Sequence, residues 1–387
     1  MKITGITTHP VGNRWKNWLF VRVDTDEGIH GLGEGSLNGF CRTVEAAVRE
    51  LEPMVIGRDP FATESLVLHL ARDLYSEGGQ IHGAAMAAIE IACWDIKGKA
   101  LGVPIYELLG GLVRERVPVY ANGWYQVERS PDAFARAALD VVASGHRALK
   151  FDPFGAAWRT LTRRDQDASI DIVAAVRDAV GSEVDLMIEG HNRFSPSTAI
   201  AISTRLAEYR PAWFEEPVPH QNVAAMVHVA RCSDVPIATG ESLSSVQQFT
   251  DLLSHGAVDI VQPEPVSLGG LGRTKIVAGL ADAHYGMVAP HNAQGPVCSM
   301  VSLHLGASTT NFYYLESFEG FNEAWTRDIV IGNALVVSDG CVEVSRRPGL
   351  GIDLDWDALA DHPYRPEHVL RLHHDGWERR VPQALVE

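Results

Sequence analysis

Cysteine is scarce in this 387-residue chain. Cys41, Cys93, Cys232, Cys298 and Cys341 are scattered, odd in number and without CxxC spacing. That argues against a disulfide framework and a zinc cluster, and makes a reducing cytoplasm the expected setting. Positive charge is also short: 33 Lys and Arg face 49 Asp and Glu, a formal charge of -16. A generic nucleic-acid binder needs a basic face, so no nucleic-acid partner is expected. A small anionic substrate stays open, because a local metal or lysine overrules net charge. No apolar run approaches the ~20 residues of a membrane helix, so no membrane partner is expected. The opening MKITGITTHPVGNRW has no apolar h-region of a signal peptide. Low-complexity tracts are absent, and 46% hydrophobic with 21% charged residues excludes a disordered or fibrous chain.

The length suits one large α/β barrel plus a smaller domain. Residues 1–115 read as an α+β module. MKITGITTHPV and WLFVRVDTDEG alternate like strands, and from Thr43 to about Leu109 the period becomes helical. AAMAAIEIACWDIKGKALG is apolar on nearly every face and should be buried. GIHGLGEG, with four glycines in eight residues, reads as a flexible segment and candidate lid. Residues 116–320 contain eight short apolar segments: VPVYAN, RALKFD, VDLMIE, PAWFEE, PIATGE, VDIVQPE, MVAPH and FYYLES. Their ends at Asn122, Asp152, Glu189, Glu215, Glu241, Glu264, His291 and Glu316 are spaced 30, 37, 26, 26, 23, 27 and 25 residues. A strand, a helix and two loops need about that many. Ser130-Pro131 and Ser195-Pro196 each look like an N-cap followed by a first-turn proline, and Gly145 like a helix-ending glycine. Eight βα units describe a (β/α)8 TIM-type barrel; an open doubly wound sheet would usually show a glycine fingerprint that NGWYQVERS lacks. Residues 321–387 turn irregular and are expected to pack back on the first module.

In such a barrel the C-terminal strand ends share one mouth, where an unpartnered charge is costly. Glu189, Glu215 and Glu241 end three successive strands, and strands lie about 4.8 Å apart. Three converging carboxylates repel unless a cation joins them, and an all-oxygen site favours Mg²⁺. The bland alternative is three surface or salt-bridged acids. His291 ends the seventh strand beside Glu264, which can fix its tautomer and raise its basicity. His191, two residues past Glu189, faces the same mouth. Lys150 and Asp152 end the second strand and are assigned to substrate binding; Lys150 could contact an anionic substrate, act as base, or be tied to Asp152 or a metal-binding Glu. Glu316 could donate a hydrogen bond to a charged oxygen. SLGGLGR (267–273) reads as either a phosphate nest or a tight strand-to-helix turn.

These residues carry a resemblance. AAIEIACWDIKGKALGVPIYELLGG (87–111) resembles the hallmark helix of the enolase superfamily, mandelate racemase subgroup, and WFEEPVP, ATGES, DIVQPE, LGGLGRTKIVAGLADAHYGM and APHN follow in that family's order. IEGHNRFSP is similar to the D-galactonate dehydratase group of sugar-acid dehydratases, with a metal carboxylate, one residue, then His. The resemblance implies Mg²⁺ on Glu189, Glu215 and Glu241, a His291–Glu264 dyad, and Glu316 assisting an enolate. It also implies that the N-terminal module caps the barrel mouth, with loops near Trp15 to Trp18 and Gly35 to Cys41 helping to choose the substrate. Its implied reaction is dehydration of an aldonate-type sugar acid through a metal-stabilised enediolate, with His291 and His191 as base and acid, roles the two could exchange. Lys150-Phe151-Asp152 departs from the Lys-x-Lys pair of racemases, and Glu189 and Glu264 stand where many relatives carry Asp. An epimerase, racemase or cycloisomerase on the same scaffold, and a non-catalytic sugar-acid binder, are the alternatives. A homo-oligomer is expected from the family.

Overall fold

A computed structural model describes residues 1–76, 78–332 and 335–380. The chain opens with an antiparallel sheet, β1 (Ile3–Asn13), β2 (Lys16–Thr25) and β3 (His30–Glu34). The β1–β2 register pairs Val11 with Trp18 and Asn13 with Lys16, so Arg14 and Trp15 form the hairpin tip. Helices α1 (Cys41–Val55), α2 (Thr63–Arg72), α3 (Gly79–Leu101) and α4 (Ile105–Leu108) follow. The expected all-round burial of α3 is seen, with residues 83–93 buried without interruption.

The glycines of GIHGLGEG are not a lid. A Cβ on Gly31 would lie 2.0 Å from the Ala92 carbonyl oxygen, and one on Gly33 1.8 Å from that of Ala88. These two glycines, spaced i and i+2 on one face of β3, let the strand lie directly on the α3 backbone. The segment is a packing seam.

The second layer is a parallel sheet in the order β4 (Arg116–Ala121), β5 (Ala148–Phe151), β6 (Asp185–Glu189), β7 (Trp213–Glu215), β8 (Ile237–Thr239), β9 (Ile260–Val261) and β10 (Met287–Val288). An eighth strand, β11 (Leu315–Ser317), pairs parallel with β4. Between β10 and β11 there is no ladder. An isolated bridge of Val288 with Phe312 brings the two ends of the sheet together, with the Val288 N–H on Asn311 O and the Tyr313 N–H on Val288 O. Tyr120, Ala148, Met187, Trp213, Ala238, Ile260 and Ala289, one from each of seven strands or strand ends, pack as one internal cluster. Helices α5 (Pro131–Ala143), α6 (Arg163–Val180), α7 (Pro196–Leu206), α8 (Val223–Cys232), α9 (Val246–Ser254), α10 (Leu271–Ala283) and α11 (Pro296–Ala307) connect the strands. The α/β architecture is therefore the one read from the strand-end spacing. The eighth unit departs from it: β11 leads only to the four-residue α12 (Trp325–Asp328).

The start signals divide. The Ser195 hydroxyl accepts the Thr198 N–H at 3.3 Å, whereas Ser130 makes no capping bond. SLGGLGR is a turn whose anion is internal. The N–H groups of Leu271 and Gly272, opening α10, each donate at 2.9 Å to the Glu90 carboxylate from α3. A Cβ on Gly270 would meet Glu90 Oε2 at 2.2 Å, which leaves no room for a phosphate.

Beyond α12 the chain adds short antiparallel strands. β12 (Val330–Gly332) pairs with β15 (Ile352–Leu354), and β13 (Val337–Ser338) pairs with β14 (Cys341–Glu343), which pairs with β4. The next stretch touches the first sheet. His362 O accepts from the Gly12 N–H, and Asn17 Nδ2 donates to Arg365 O and His368 O. It then crosses to the barrel, where Trp377 Nε1 donates to Gly155 O at 3.1 Å. Residues 381–387 of the expected C-terminal segment lie outside the described residues. No helix among the described residues is long and apolar enough to cross a membrane.

Candidate active site

Strand pairing sets the site. β6 pairs with β7 at Glu189↔Glu215, so both glutamates leave adjacent strands at the same level. Glu241 follows two residues after β8. One oxygen from each of Glu189, Glu215 and Glu241 lies within 4.8 Å of the others. Lys150, 1% exposed, reaches into the group: its Nζ is 2.6 Å from Glu215 Oε1, 2.9 Å from Glu316 Oε1 and 3.5 Å from Glu189 Oε2. Trp213 Nε1 donates to the other oxygen of Glu215. Glu189 Oε1 accepts the His191 N–H at 2.6 Å, but the buried Glu189 Oε2 receives no hydrogen bond. Burial pushes the Glu189 carboxyl up to about 7, against the pull of Lys150. Burial and the neighbouring Glu189 lift Glu215 well above the carboxylate range. One lysine is too little positive charge for these acids. A compact all-oxygen donor set with a buried oxygen that receives no hydrogen bond fits a divalent cation of the Mg²⁺ kind.

Two histidines flank the cluster, each backed by a carboxylate. His291 Nδ1 lies 2.5 Å from Glu264 Oε2, and its Nε2 faces Glu241 Oε2 at 3.2 Å. Glu264 also accepts from Gln294 Nε2 at 2.9 Å and the Cys298 thiol at 3.3 Å. Burial pulls the His291 imidazole down, but Glu241, Glu264 and Glu316 together raise it to about 10. A cation among the glutamates would offset the Glu241 share of that shift. On the other wall His191 Nδ1 lies 2.6 Å from Asp152 Oδ2. Asp152 is fully buried, bonded to Arg193 through the same oxygen and to the Phe154 N–H through Oδ1 at 2.8 Å. The Arg193 guanidinium and His191 hold Asp152 below its ordinary range despite burial.

The backbone explains why His191 points inward. His191 and Asn192 take left-handed φ of 47° and 58°. The Gly190 and Asn192 N–H groups donate to Glu215 O and Glu216 O, so the turn stays bonded to the neighbouring strand.

Asp152 therefore stands behind His191, one layer from the cavity, while Lys150 joins the glutamates. Glu316 accepts from Asn122 Nδ2 and the Asn292 N–H, each at 2.7 Å, besides Lys150. Burial acts against it, yet Lys150 and His291 hold it near 2, so it is a carboxylate with no proton to donate.

The cavity at the mouth holds about 240 Å³. Glu189, Glu241, Glu264, His191 and His291 line its floor; Trp15, Lys16, Leu37, Asn38 and Phe40 of the N-terminal module line its roof. Sequence reasoning missed Arg193 and Arg380. Arg193 follows His191 by two, a spacing that could have pointed to it; Arg380 lies far along the chain with no local signal.

Two family models match. Residues 133–358 fit the enolase C-terminal domain-like family. Residues 7–110 fit the mandelate racemase/muconate lactonizing enzyme N-terminal domain. The chain belongs to the mandelate racemase/muconate lactonizing enzyme group of the enolase superfamily. Among its relatives in that group, the D-gluconate dehydratase of Thermoproteus tenax is 38% identical over 92% of this chain and 72% of its own length. The D-galactonate dehydratase of Xanthomonas oryzae pv. oryzae (strain PXO99A) is 37% identical over 93% of this chain and 94% of its own. A solved mandelate racemase/muconate lactonizing enzyme from Jannaschia sp. CCS1 superposes with a TM-score of 0.88 at 33% identity, covering 96% of this chain and 100% of that one. One from Sulfitobacter sp. gives a TM-score of 0.90 at 30% identity, covering 97% and 98%.

Proposed function

We propose that this chain is a magnesium-dependent sugar-acid dehydratase that removes the C2 proton of a 2,3-dihydroxy acid and expels the 3-hydroxyl as water. Two carboxylate-backed histidines facing a three-glutamate cluster across one cavity carry this reading. The aldonates that name two of the relatives are the first substrates to test. Glu189, Glu215 and Glu241 would hold Mg²⁺. When bound, the ion supplies Lewis-acid stabilisation of the charge that the substrate carboxylate gains as C2 loses its proton.

His291 acts as the base. Glu264 fixes Nδ1–H, which leaves Nε2 toward the cavity to take the C2 proton. His191, oriented by Asp152, gives its Nε2 proton to the 3-hydroxyl; the C3–O bond breaks and water leaves. The enol that remains tautomerises to a 2-keto-3-deoxy acid. Asp152 is shared between His191 and Arg193, whereas Glu264 pairs with His291 and, among the described residues, with no Lys or Arg. We therefore assign His291 as acceptor and His191 as donor. Lys150 and Asn122 keep Glu316 ionised, so Glu316 shapes the field rather than donating a hydrogen bond.

The test is incubation with Mg²⁺ and a stereochemically complete set of aldonates and aldarates, followed by 2-keto acid formation and product mass. A product lighter by one water supports dehydration. A product of unchanged mass moves the chain to the epimerases, and no turnover across the set removes the proposal.

A further inference from the structure

Among the described residues, one buried cation in the cavity has no carboxylate to answer it. Arg380 is 5% exposed and lines the same cavity as the glutamates and both histidines. Its guanidinium carbon sits over three rings, 4.7 Å from Phe318, 4.8 Å from Trp15 and 5.4 Å from Tyr125. Nη2 reaches the Tyr125 hydroxyl at 3.5 Å, but Nε and Nη1 have no hydrogen-bond partner among the described residues. No carboxylate there lies within ion-pair reach of it. Gly123 makes the space: a Cβ at this position, φ +83°, would stand 2.7 Å from Arg380 Nη1.

Lys16, the other cation of the roof, differs. Its Nζ donates to Ala293 O at 2.9 Å, and Glu264 and Glu34 lie in its field. Lys150 is taken by the glutamates. Ring faces offset part of the cost of burying a guanidinium but give its N–H groups no acceptor. A buried charge left in this state points to a counter-charge that arrives from outside.

We propose that Arg380 binds a second acidic group at the far end of the substrate, so that this chain's preferred sugar acids are dicarboxylates (aldarates) rather than aldonates. The inference rests on the proposed dehydratase reading. The metal cluster and histidines take the C1–C3 end, and a carboxylate at the other terminus supplies planar acceptors that match the guanidinium fork, which a neutral hydroxymethyl cannot.

Galactarate and D-galactonate differ only at that terminus, as do D-glucarate and D-gluconate. With Mg²⁺ present, kcat/KM for at least one diacid should exceed that of its matched aldonate by about 10- to 100-fold, the worth of a charged hydrogen bond. In Arg380→Met the ratio should collapse, mainly through a raised KM for the diacid, and Arg380→Lys should restore part of it. Equal use of both members of each pair, or an aldonate preference, overturns the inference while leaving the dehydratase reading intact. So does an Arg380→Met variant that folds normally and keeps the ratio. If neither class turns over, the dehydratase reading fails, and calorimetric titration of the Mg²⁺-loaded protein still decides the inference: galactarate bound no more tightly than D-galactonate overturns it.

Discussion

Two trios of largely buried acids occupy this molecule, and they are built differently. Glu34 and Glu90 lie where the N-terminal module meets α11 and α10, and Asp95 lies between β3 and the C-terminal segment. Glu34 accepts the N–H groups of Gly295 and Cys298 at 2.6 and 2.9 Å, at the start of α11. Glu90 receives those of Leu271 and Gly272, and Asp95 those of Leu32 and Leu350 at 2.9 and 2.8 Å. Each is a clamp: peptide donors from a distant segment use both its oxygens. Glu189, Glu215 and Glu241 face one another instead; Glu189 and Glu215 share Lys150, Glu241 faces His291, and the buried Glu189 Oε2 receives no hydrogen bond. All are buried but Glu241, which is partly exposed, so burial alone does not sort the trios; the fate of the oxygens separates a structural acid from one that awaits a ligand.

The largest effect should come from breaking the second trio. Glu189→Gln keeps the shape and removes one charge. If the cluster holds Mg²⁺, calorimetric Mg²⁺ affinity should fall and turnover should drop about 10³-fold or more, several kcal/mol at 1.4 kcal/mol per tenfold. Wild-type-like metal binding in this variant would make the two trios equivalent. The next effect concerns proton transfer. His291→Asn should lower both C2 proton exchange and turnover by about 10²–10⁴-fold. His191→Asn should stop dehydration while leaving C2 exchange in deuterated buffer measurable. Exchange lost only in the His191 variant would reverse the two roles.

Breaking the first trio should cost stability rather than chemistry. Glu90→Gln turns one accepting oxygen into a donor that faces a peptide N–H, a loss of about 1–3 kcal/mol in denaturant unfolding. It should also change the pH dependence. Burial lifts the Glu90 carboxyl from 4.5 to about 7, although the Leu271 and Gly272 N–H groups pull the other way. A carboxyl raised on folding contributes stability in full below its unfolded value, and that contribution fades as pH rises through the folded one. The Glu90 contribution should therefore fall between pH 4.5 and 7, so that the wild-type stability advantage over Glu90→Gln shrinks across that window. Equal slopes would remove Glu90 as the source.

Much of the site was legible because strand ends repeat. One carboxylate per βα unit at 26-residue spacing is visible without coordinates, and the β6–β7 register turns that spacing into proximity. Asp152 was harder. Lys150 and Asp152 are two apart and would share a face on a continuing strand, but β5 ends at Phe151, so the alternation stops before Asp152. The side chain turns back to His191 and Arg193. GIHGLGEG was misread because glycine permits both mobility and close approach, and only the facing helix decides between them. Arg380 and Trp15 meet in one cavity from opposite ends of the chain, a contact that no local pattern encodes.

The smallest test applies the same rule at a helix start. Ser130-Pro131 and Ser195-Pro196 are the same signal in sequence, and both serines have extended backbone before a first-turn proline. Only the Ser195 hydroxyl accepts an N–H of its helix, so only Ser195 answers a first-turn donor that has no partner within the helix. Ser195→Ala should cost about 1 kcal/mol. Ser130→Ala should stay within about 0.5 kcal/mol, since the Ser130 side chain makes no bond to its helix. Chemical denaturation of both variants at one pH measures the difference. Equal losses would mean that the serine-proline pattern acts through backbone preference, and that the hydroxyl bond adds nothing of its own.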